Sequence, residues 1–369
     1  MKGQKPYIVA YDRDDKEWYC TCEGFWYNKW CRHLDRLKVF VDVMEGRQVR
    51  LVRFSELKDE KKVKAEDTGI KAVDKLFDGT PLTTDSILGV YGESMAGKTI
   101  MALQISAYMV SKGYKVLYID TEGGVADIAK AWMPVFQKRF GITDEDLEKR
   151  FLLAKVLDLV EFFELLKKNV KIDIKNSKVE VTINDIPEKE LKNKLTFESL
   201  IREEKIDMVV LDSMSSLFRV IPSNPQNFPA RADLEAQLFY ELIKLQDKRN
   251  IFMMVLHQSS QNPMAFDSRQ ELRGGMVVKY FTKRIIYIDK SQKKKYEQAY
   301  RRIWVIRAED EASWGKCAIV KITNNGYEDL SAKEALEIKN DILTSGESQY
   351  SRVVFAIGSS GETFVKNGE

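Results

Sequence analysis

The chain has 369 residues, of which 44% are hydrophobic, so it can form one large or two small cores with appendages. Its formal net charge of +3 excludes a general affinity for nucleic acids or membranes, so any nucleic-acid surface must be local. Because the sequence contains neither a signal-peptide apolar core nor an apolar run long enough to cross a bilayer, we expect a cytoplasmic protein.

Near the N-terminus, three of the four cysteines and one of the two histidines lie close together. They form a C-x-C…C-x-H set, and two close-spaced ligand pairs suit the tetrahedral geometry of Zn²⁺. A disulfide is disfavoured in a cytosolic protein, and separate core packing of the cysteines does not explain the histidine in phase with them. The predicted zinc ligands are Cys20, Cys22, Cys31 and His33.

The residues around these ligands predict a small metal-stapled module. Alternating residues at 7–11 and 17–19 predict a β-hairpin, and the spacing of apolar residues after His33 predicts a helix. A hairpin, ligand loop and helix over residues 1–45 resemble the SWIM zinc finger, a family that contacts DNA or protein. Aromatic residues between the ligand pairs either stack on bases or, as we favour, fill the module's core. The charged stretch 46–66 predicts a linker.

The central motif occupies residues 92–99, where G-E-S-M-A-G-K-T fits the phosphate-binding pattern G-x-x-x-x-G-K-T. Apolar runs predict a strand before it and a helix after it. Its glycines let backbone N–H groups point inward at phosphate, and the helix adds its positive N-terminal end. Lys98 is expected to reach the β- and γ-phosphates and Thr99 to bind Mg²⁺. The predicted nucleotide-binding residues here are Gly92, Glu93, Ser94, Met95, Ala96, Gly97, Lys98, Thr99 and Ile100.

From Thr68 to about Asp329 the chain resembles the RecA superfamily, especially archaeal RadA-type recombinases and their paralogues. The phrase T-G-x-x-x-x-D-x-L at 68–76 precedes the P-loop, and three further motifs follow in the family's order. The resemblance implies an ATPase that uses ATP and Mg²⁺. It also implies an α/β RecA-type P-loop core over residues 67–330: a twisted, mostly parallel sheet flanked by helices, with antiparallel strands at its C-terminal edge.

Two apolar strands are predicted to end in acidic residues at the carboxyl edge of the sheet, where open α/β sheets bind ligands. The second of them, residues 208–212, ends at Asp212, a Walker B carboxylate expected to help hold Mg²⁺. The first ends at Asp120 and Glu122. By resemblance Glu122 orients the attacking water. The alternative is a carboxylate that caps the helix predicted near Val125, a role open to Asp120 as well.

A third strand, residues 251–256, leads into His257 and Gln258. By resemblance Gln258 senses the γ-phosphate, so Lys98, Glu122 and Gln258 are the predicted catalytic residues. His257 either touches nucleotide or DNA or, as we favour, packs or forms a hydrogen bond at the strand end. The last strands of the core, between 284 and 322, are predicted to be antiparallel. The basic residues at 293–295 and 301–302 between them either contact DNA or, as we favour, form a solvated turn.

The two segments that bind single-stranded DNA in the resembling family correspond to residues 220–231 and 260–275. Their polar, proline-containing composition predicts loops. Phe228 or Phe266 would stack on a base, and the interleaved basic and aromatic residues favour DNA over the alternative of solvated surface loops. The candidate phosphate ligands are Arg219, Arg231, Arg269 and Arg273.

Three departures from the filament-forming recombinases are visible. First, alternation at 170–183 predicts an inserted hairpin over about residues 169–186. Second, residues 54–57 lack the small last residue of the family's F-x-x-A segment. Third, the zinc module replaces the family's helical N-terminal domain. They favour a recombinase paralogue or mediator that forms homo- or hetero-oligomers with repair proteins. Residues 331–369 form an appendage. The alternative is a KaiC-like, ATP-switched regulator or scaffold whose zinc module binds a protein.

Overall fold

The chain divides into two compact units, Met1–Lys62 and Val63–Glu369. The computed structural model describes residues 9–11, 18–20, 62–175, 178–192, 194–222, 224–261, 270–272, 280–290, 299–310, 313, 316–331, 334, 353–356 and 363–366. Within these ranges no helix is both long enough and apolar enough to cross a membrane.

In the first unit the backbone forms an antiparallel hairpin of β1 (Val9–Tyr11) and β2 (Trp18–Cys20). This hairpin was predicted from the alternating residues, and Cys20 is its last residue. The predicted zinc ligands Cys22, Cys31 and His33 lie outside the described residues, as does most of the predicted linker.

The second unit contains strands that alternate with helices along the chain. Its strands are β3 (Ala65–Glu66), β4 (Leu82–Thr83), β5 (Ile87–Gly92), β6 (Val116–Asp120), β7 (Phe151–Lys155), β8 (Lys168–Lys175), β9 (Lys178–Asp185), β10 (Met208–Asp212), β11 (Phe252–Gln261), β12 (Gln270–Leu272), β13 (Arg284–Lys290), β14 (Tyr300–Arg307), β15 (Lys316–Thr323), β16 (Gly326–Asp329), β17 (Val353–Ala356) and β18 (Thr363–Lys366). Its helices are α1 (Lys71–Asp74), α2 (Lys98–Ser111), α3 (Val125–Phe140), α4 (Asp144–Arg150), α5 (Leu159–Leu165), α6 (Glu188–Leu191), α7 (Phe197–Glu203), α8 (Met214–Leu217) and α9 (Phe228–Arg249). Short 3₁₀ turns cover Lys75–Phe77, Phe218–Val220 and Pro225–Asn227.

One mixed sheet organises the unit, with strand order β18-β17-β15-β14-β13-β5-β11-β10-β6-β7. Neighbours from β13 to β7 are all parallel, whereas β14 and β15 pair antiparallel with their neighbours on the β13 side. The RecA-type α/β core with a largely parallel sheet is therefore confirmed. The prediction that 284–288 is an antiparallel strand was only half right. It pairs antiparallel with β14 but parallel with β5, so its carboxyl end also lies at the edge where ligands bind.

Alternation along the buried strands builds a core on each face of the sheet. In β10, Met208 and Val210 belong to one hydrophobic cluster, and Val209 and Leu211 belong to the other. Helix α2 packs in the first cluster and α9 in the second. Helices therefore cover both faces of the sheet, as expected of strands that are apolar on both faces.

The predicted hairpin is present as β8 and β9, paired in register from Lys168↔Asp185 to Lys175↔Lys178. Val170 and Val179 are buried in the second core cluster, so the hairpin packs on the body of the unit. Near its tip the backbone N–H of Val179 donates a hydrogen bond to Asn227 Oδ1 at 3.0 Å. Asn227 immediately precedes α9, so the hairpin is tied to the first segment predicted to bind DNA.

That first segment is not the simple loop predicted over 220–231. It consists of the turns Phe218–Val220 and Pro225–Asn227 and then the start of α9 at Phe228. Burial of Phe218 and Asn227 is the reason, because each end is anchored in the core. Of the second segment, the backbone at Gln261 and at β12 is described, and β12 pairs antiparallel with β11.

Candidate nucleotide site

The parallel strands bring the sequence motifs together at one edge of the sheet. The carboxyl ends of β5 and β10 carry Gly92 and Asp212, β11 carries Gln258 opposite Gly92, and β6 carries Asp120 beside Asp212. Parallel neighbours end at the same edge, and ligands of open α/β sheets bind there. The residues predicted separately along the chain thus form one site.

The loop between β5 and α2 requires glycine at two positions. A side chain at Gly92 would collide with the backbone carbonyl of Ile288 on the adjacent strand β13. Gly97, the residue before α2, has φ of 101°, and a Cβ there would lie 2.6 Å from Tyr327 Oη. The loop residues Ser94 and Met95 are exposed. This geometry leaves a tight loop that leads into a helix N-terminus, which is a favourable environment for an anion.

Lys98 lies in the first turn of α2 and is buried, with 8% of its surface exposed. Its ammonium group donates hydrogen bonds to the carbonyl oxygens of Gly92 at 2.9 Å and Glu93 at 2.7 Å. Burial lowers the pKa of Lys98, and the charges of Asp212, Glu122 and Glu93 oppose that shift. The loop therefore holds a buried cation whose chemistry fits a phosphate.

Thr99 and Asp212 form the part of the site suited to Mg²⁺. Thr99 Oγ1 donates a hydrogen bond to Asp212 Oδ2 at 2.7 Å, and Tyr118 Oη donates to the same oxygen at 2.8 Å. Burial raises the pKa of Asp212 to about 6, although both hydrogen bonds and the charge of Lys98 act against the shift. In the described part of the chain no group of three or more His, Cys, Asp or Glu is placed to bind a metal. P-loop NTPases hold Mg²⁺ with one hydroxyl from the P-loop and one Walker B carboxylate, so Thr99 and Asp212 fit a Mg²⁺ site.

The structure separates the roles of the two carboxylates that follow β6. Asp120 is buried and accepts hydrogen bonds from the backbone N–H groups of Glu122, Gly123 and Val125. It therefore organises the turn into α3, the capping role that the sequence left open between the two acids. The Glu122 side chain is left to project into the site.

Glu122 Oε1 is the point where three chain segments meet. It accepts hydrogen bonds from Ser213 Oγ at 2.8 Å and Gln258 Nε2 at 2.9 Å. A nitrogen of the Arg219 guanidinium lies 3.5 Å from the same oxygen. The backbone N–H of Gln258 donates to Ser215 Oγ at 3.0 Å, which fixes the end of β11. The predicted water-orienting and phosphate-sensing residues are therefore in direct contact.

His257 lies in the core on the far side of β11 from the site. It is 1% exposed and stacks on Phe239 with ring centroids 5.8 Å apart. Burial lowers its pKa to about 3, and the charge of Lys98 acts in the same direction. The structure accordingly gives His257 the packing role favoured from the sequence.

The four arginines predicted to bind phosphates differ in setting. Arg219 is 57% exposed. Arg231 lies in α9 rather than in a loop, where its Nε donates to Glu235 Oε1 at 3.0 Å and its guanidinium stacks over the Phe218 ring. Only 16% of the Arg231 side chain is exposed, so the prediction of a mobile loop arginine was wrong there. Arg269 and Arg273 lie outside the described residues.

Two side chains from the C-terminal strands support the P-loop in a way that was not predicted from the sequence. Arg301 Nε donates a hydrogen bond to the carbonyl oxygen of Ala96 at 2.9 Å, and Tyr327 Oη donates to the same oxygen at 3.3 Å. Arg301 and Arg302 were expected in a solvated turn, but both are buried in β14, where Arg302 pairs with Asp289. The available signal was that both residues directly precede the apolar run 303–306 of the same strand.

Comparison with known proteins places these features in context. Residues 66–331 match the family model described as "ATPase: KaiC", which spans more than half of the chain. The DNA repair and recombination protein RadB of Methanosphaera stadtmanae is 28% identical over 220 residues, 60% of this chain and 79% of that protein. RadB of Thermoplasma acidophilum is 26% identical over 266 residues, 72% and 94% of the two chains. RadA of Aeropyrum pernix is 27% identical over 239 residues, which are 62% of this chain and 64% of that protein.

The fold is similar to a solved structure described as the crystal structure of the RadB recombinase. The TM-score is 0.50 and the identity 23%, over 72% of this chain and 99% of the other. At this identity the similarity concerns the fold alone.

Proposed function

Because this chain belongs to the KaiC family of ATPases, we propose that it hydrolyses ATP in homologous recombination or DNA repair, binding single-stranded DNA as a recombinase paralogue or mediator. The observation that carries the proposal is the meeting of Lys98, Thr99, Asp212, Glu122 and Gln258 at one sheet edge. These residues come from four separate sequence motifs, and chance resemblance does not explain their contact.

The site's own residues suit each part of an ATPase reaction. Lys98 and the N-terminus of α2 would hold the phosphates of ATP, and Thr99 with Asp212 would hold Mg²⁺, which neutralises phosphate charge when bound. Glu122 would orient the attacking water, and Ser213 would keep its carboxylate in place through the hydrogen bond to Oε1. Gln258 would sense the γ-phosphate through its contact with Glu122.

The role in recombination and repair is supported by the relatives, which are named DNA repair and recombination proteins RadB and RadA. Binding of single-stranded DNA is supported by two exposed side chains, Arg219 just before the first segment and Phe228 within it, the latter 57% exposed. A cation for the backbone and an aromatic ring for a base are the usual elements of such a surface. The similarity to these proteins also supports oligomers of this chain with itself, with a recombinase or with other repair proteins.

We also propose that the N-terminal region is a SWIM-like zinc module over 1–45, joined by the predicted linker 46–66 to the core at 67–330, with the appendage 331–369. The last two residues of the predicted linker, Ala65 and Glu66, already pair with β4 of the second unit. The C-x-C…C-x-H spacing supports it, as does the β1–β2 hairpin that ends at Cys20. Metal analysis of the purified protein should find about one zinc per chain. Cys22→Ser should abolish it and Cys317→Ala, which changes a buried free cysteine, should not. A metal-free wild type would remove the module from the proposal.

The test of the main proposal is ATP hydrolysis measured with and without single-stranded DNA. Lys98→Ala serves as the blank, because removal of one charged contact to the transferring phosphate should reduce the rate by about 10²- to 10³-fold. Stimulation by DNA that is absent from Lys98→Ala, together with DNA binding that weakens steeply with salt, is the expected result.

A second candidate is a regulator or scaffold in which ATP switches the binding of a protein partner. The description of the matching family, KaiC, is the observation that favours it. Hydrolysis that is indifferent to DNA, in a protein that also fails to bind DNA at low salt, would select this candidate. The partner of the N-terminal module would then be sought first.

A further inference from the structure

Arg219 connects the predicted catalytic carboxylate to the segment predicted to bind DNA. It lies in the turn Phe218–Val220 at the start of that segment, and its guanidinium is 3.5 Å from Glu122 Oε1. Ser213 Oγ and Gln258 Nε2 already donate hydrogen bonds to this oxygen. The same oxygen therefore faces two neutral donors that belong to the site and one cation that belongs to the neighbouring segment.

The backbone that carries Arg219 is anchored while its side chain is not. Leu217 and Phe218 are 2% and 0% exposed, so the turn is fixed in the second core cluster. The Arg219 side chain is 57% exposed and that of Glu122 34%. An ion pair this open to water is weak because solvent and salt screen it. The guanidinium is thus able to exchange one anion for another without any refolding of the segment.

A phosphodiester group is a suitable competing anion. Guanidinium groups bind phosphate oxygens with paired, charge-assisted hydrogen bonds, and nucleic-acid backbones present such oxygens in a row. A guanidinium paired with Glu122 also competes with the water molecule that a catalytic carboxylate has to orient. Removal of Arg219 from Glu122 therefore leaves the carboxylate held by Ser213 and Gln258 and more accessible to water.

We propose that Arg219 is a positioning residue that restrains Glu122 in the absence of DNA and releases it when single-stranded DNA binds. The proposal rests on the proposed function, because it assigns the DNA response of the ATPase to one contact. It makes Arg219 a direct link between the phosphodiester backbone and the hydrolysis site. A merely structural Arg219 would affect neither the DNA-free rate nor the response to DNA selectively.

The experiment compares full-length wild type, Arg219→Ala and Arg219→Lys. Steady-state hydrolysis is measured against ATP concentration with and without oligothymidylate, and oligothymidylate binding is measured by fluorescence anisotropy. Arg219→Ala should raise the DNA-free kcat by up to about fivefold, the range of a screened ion pair, with KM for ATP unchanged. The stimulation of Arg219→Ala by DNA should be largely lost. Arg219→Lys should restore part of the low DNA-free kcat and part of the stimulation by DNA. Arg202→Ala is the matched control, since Arg202 is 62% exposed and pairs with its neighbour Glu203.

Two results would overturn the inference. One is an unchanged or reduced DNA-free kcat in Arg219→Ala, which would mean that Arg219 does not restrain Glu122. The other is a raised rate with undiminished stimulation by DNA, which would mean that DNA acts elsewhere. Failure of the proposed function is recognised separately, because wild type would then bind no oligothymidylate. In that case the release of Glu122 by DNA would be ruled out as well. The DNA-free kcat of Arg219→Ala would still decide whether Arg219 restrains Glu122.

Discussion

At the scale of single residues, the orientation of the P-loop depends on side chains far away in sequence. Arg301 and Tyr327 are both buried and both donate to the carbonyl oxygen of Ala96. Backbone N–H groups of a phosphate-binding loop point inward, so carbonyl groups that point outward need partners of their own. Arg301 supplies the shorter of the two hydrogen bonds and so fixes the loop's orientation.

We predict that Arg301→Ala weakens ATP binding, because the carbonyl group of Ala96 then keeps only the longer hydrogen bond from Tyr327. A buried hydrogen bond from a charged donor contributes about 1.5–3 kcal/mol, so Kd for ATP should rise by roughly 10- to 100-fold. Calorimetric titration with ATP measures the effect. Arg307→Ala, a change in the same strand at a partly exposed position, is the control. Wild-type affinity in Arg301→Ala would show that the loop orients without it.

At the scale of elements, the hairpin β8–β9 and the segment before α9 support each other through Asn227. This side chain is fully buried, accepts from Val179 N at 3.0 Å and donates from Nδ2 to the Pro222 carbonyl oxygen at 3.2 Å. One amide thus joins an element predicted as an insertion to the segment 220–231, which directly follows Arg219.

We predict that Asn227→Ala lowers the free energy of unfolding by about 1–3 kcal/mol, because it leaves a buried backbone N–H and a carbonyl without their amide partner. Urea denaturation provides the measurement. Asn169→Ala, an exposed position on β8, should change stability by less than about 0.5 kcal/mol. Equal effects of the two substitutions would contradict a bridging role for Asn227.

A second contact between elements concentrates charge on Glu198 in α7. Its carboxylate pairs with Lys167 at 2.6 Å, Lys248 at 2.5 Å and Arg249 at 2.6 Å, which follow α5 or end α9. Burial acts to raise the pKa of Glu198, but the hydrogen bonds and charges of Lys167 and Lys248 outweigh it and lower the pKa to about 2. Because this pKa lies below the usual 4.5, the cluster stabilises the fold above about pH 4.5 and loses that contribution as the pH falls toward 2.

We predict that Glu198→Gln destabilises the protein by about 1–2 kcal/mol at neutral pH, less than the full pKa shift implies because the lysines are partly solvated. The difference from wild type should shrink as the pH is lowered from about 4.5 toward 2, because in that range Glu198 takes up a proton in the unfolded chain but not in the folded protein. Urea titrations over that range measure it. Glu161→Gln, at an exposed position in α5, should show no such trend. A difference independent of pH would exclude the ionic explanation.

At the scale of the whole molecule, the sheet, both core clusters and the candidate nucleotide site all belong to the unit Val63–Glu369. The residues that match the KaiC family, 66–331, lie within the same unit. A unit that contains its own core and its whole candidate site meets the physical requirements for independent folding.

We predict that residues 63–369, expressed alone, fold cooperatively and retain ATP hydrolysis within about threefold of the full chain. Thermal unfolding and steady-state hydrolysis are the measurements, and Lys98→Ala in the shortened chain is the blank. An inactive or aggregated product would mean that residues 1–62 are required for the core.

Local sequence determined the elements and most of the chemistry of this protein. The P-loop is readable because its glycines, Lys98 and Thr99 act within one loop and one helix turn. Asp212 is readable because it ends an apolar strand, and Gln258 because it closely follows the apolar run of β11. The alternation that predicted the hairpin β8–β9 is equally local.

Only the tertiary structure decided which side chains meet. Asp120 and Glu122 differ in role because one turns back to the N-terminus of α3 and the other reaches Ser213, Gln258 and Arg219 from distant segments. Arg301 was predicted to lie in a turn, but β14 pairs with β15 at this residue, and its side chain contacts the P-loop carbonyl of Ala96. Contacts of this kind depend on strand order and register, which join residues hundreds of positions apart, whereas sequence patterns report neighbours along the chain.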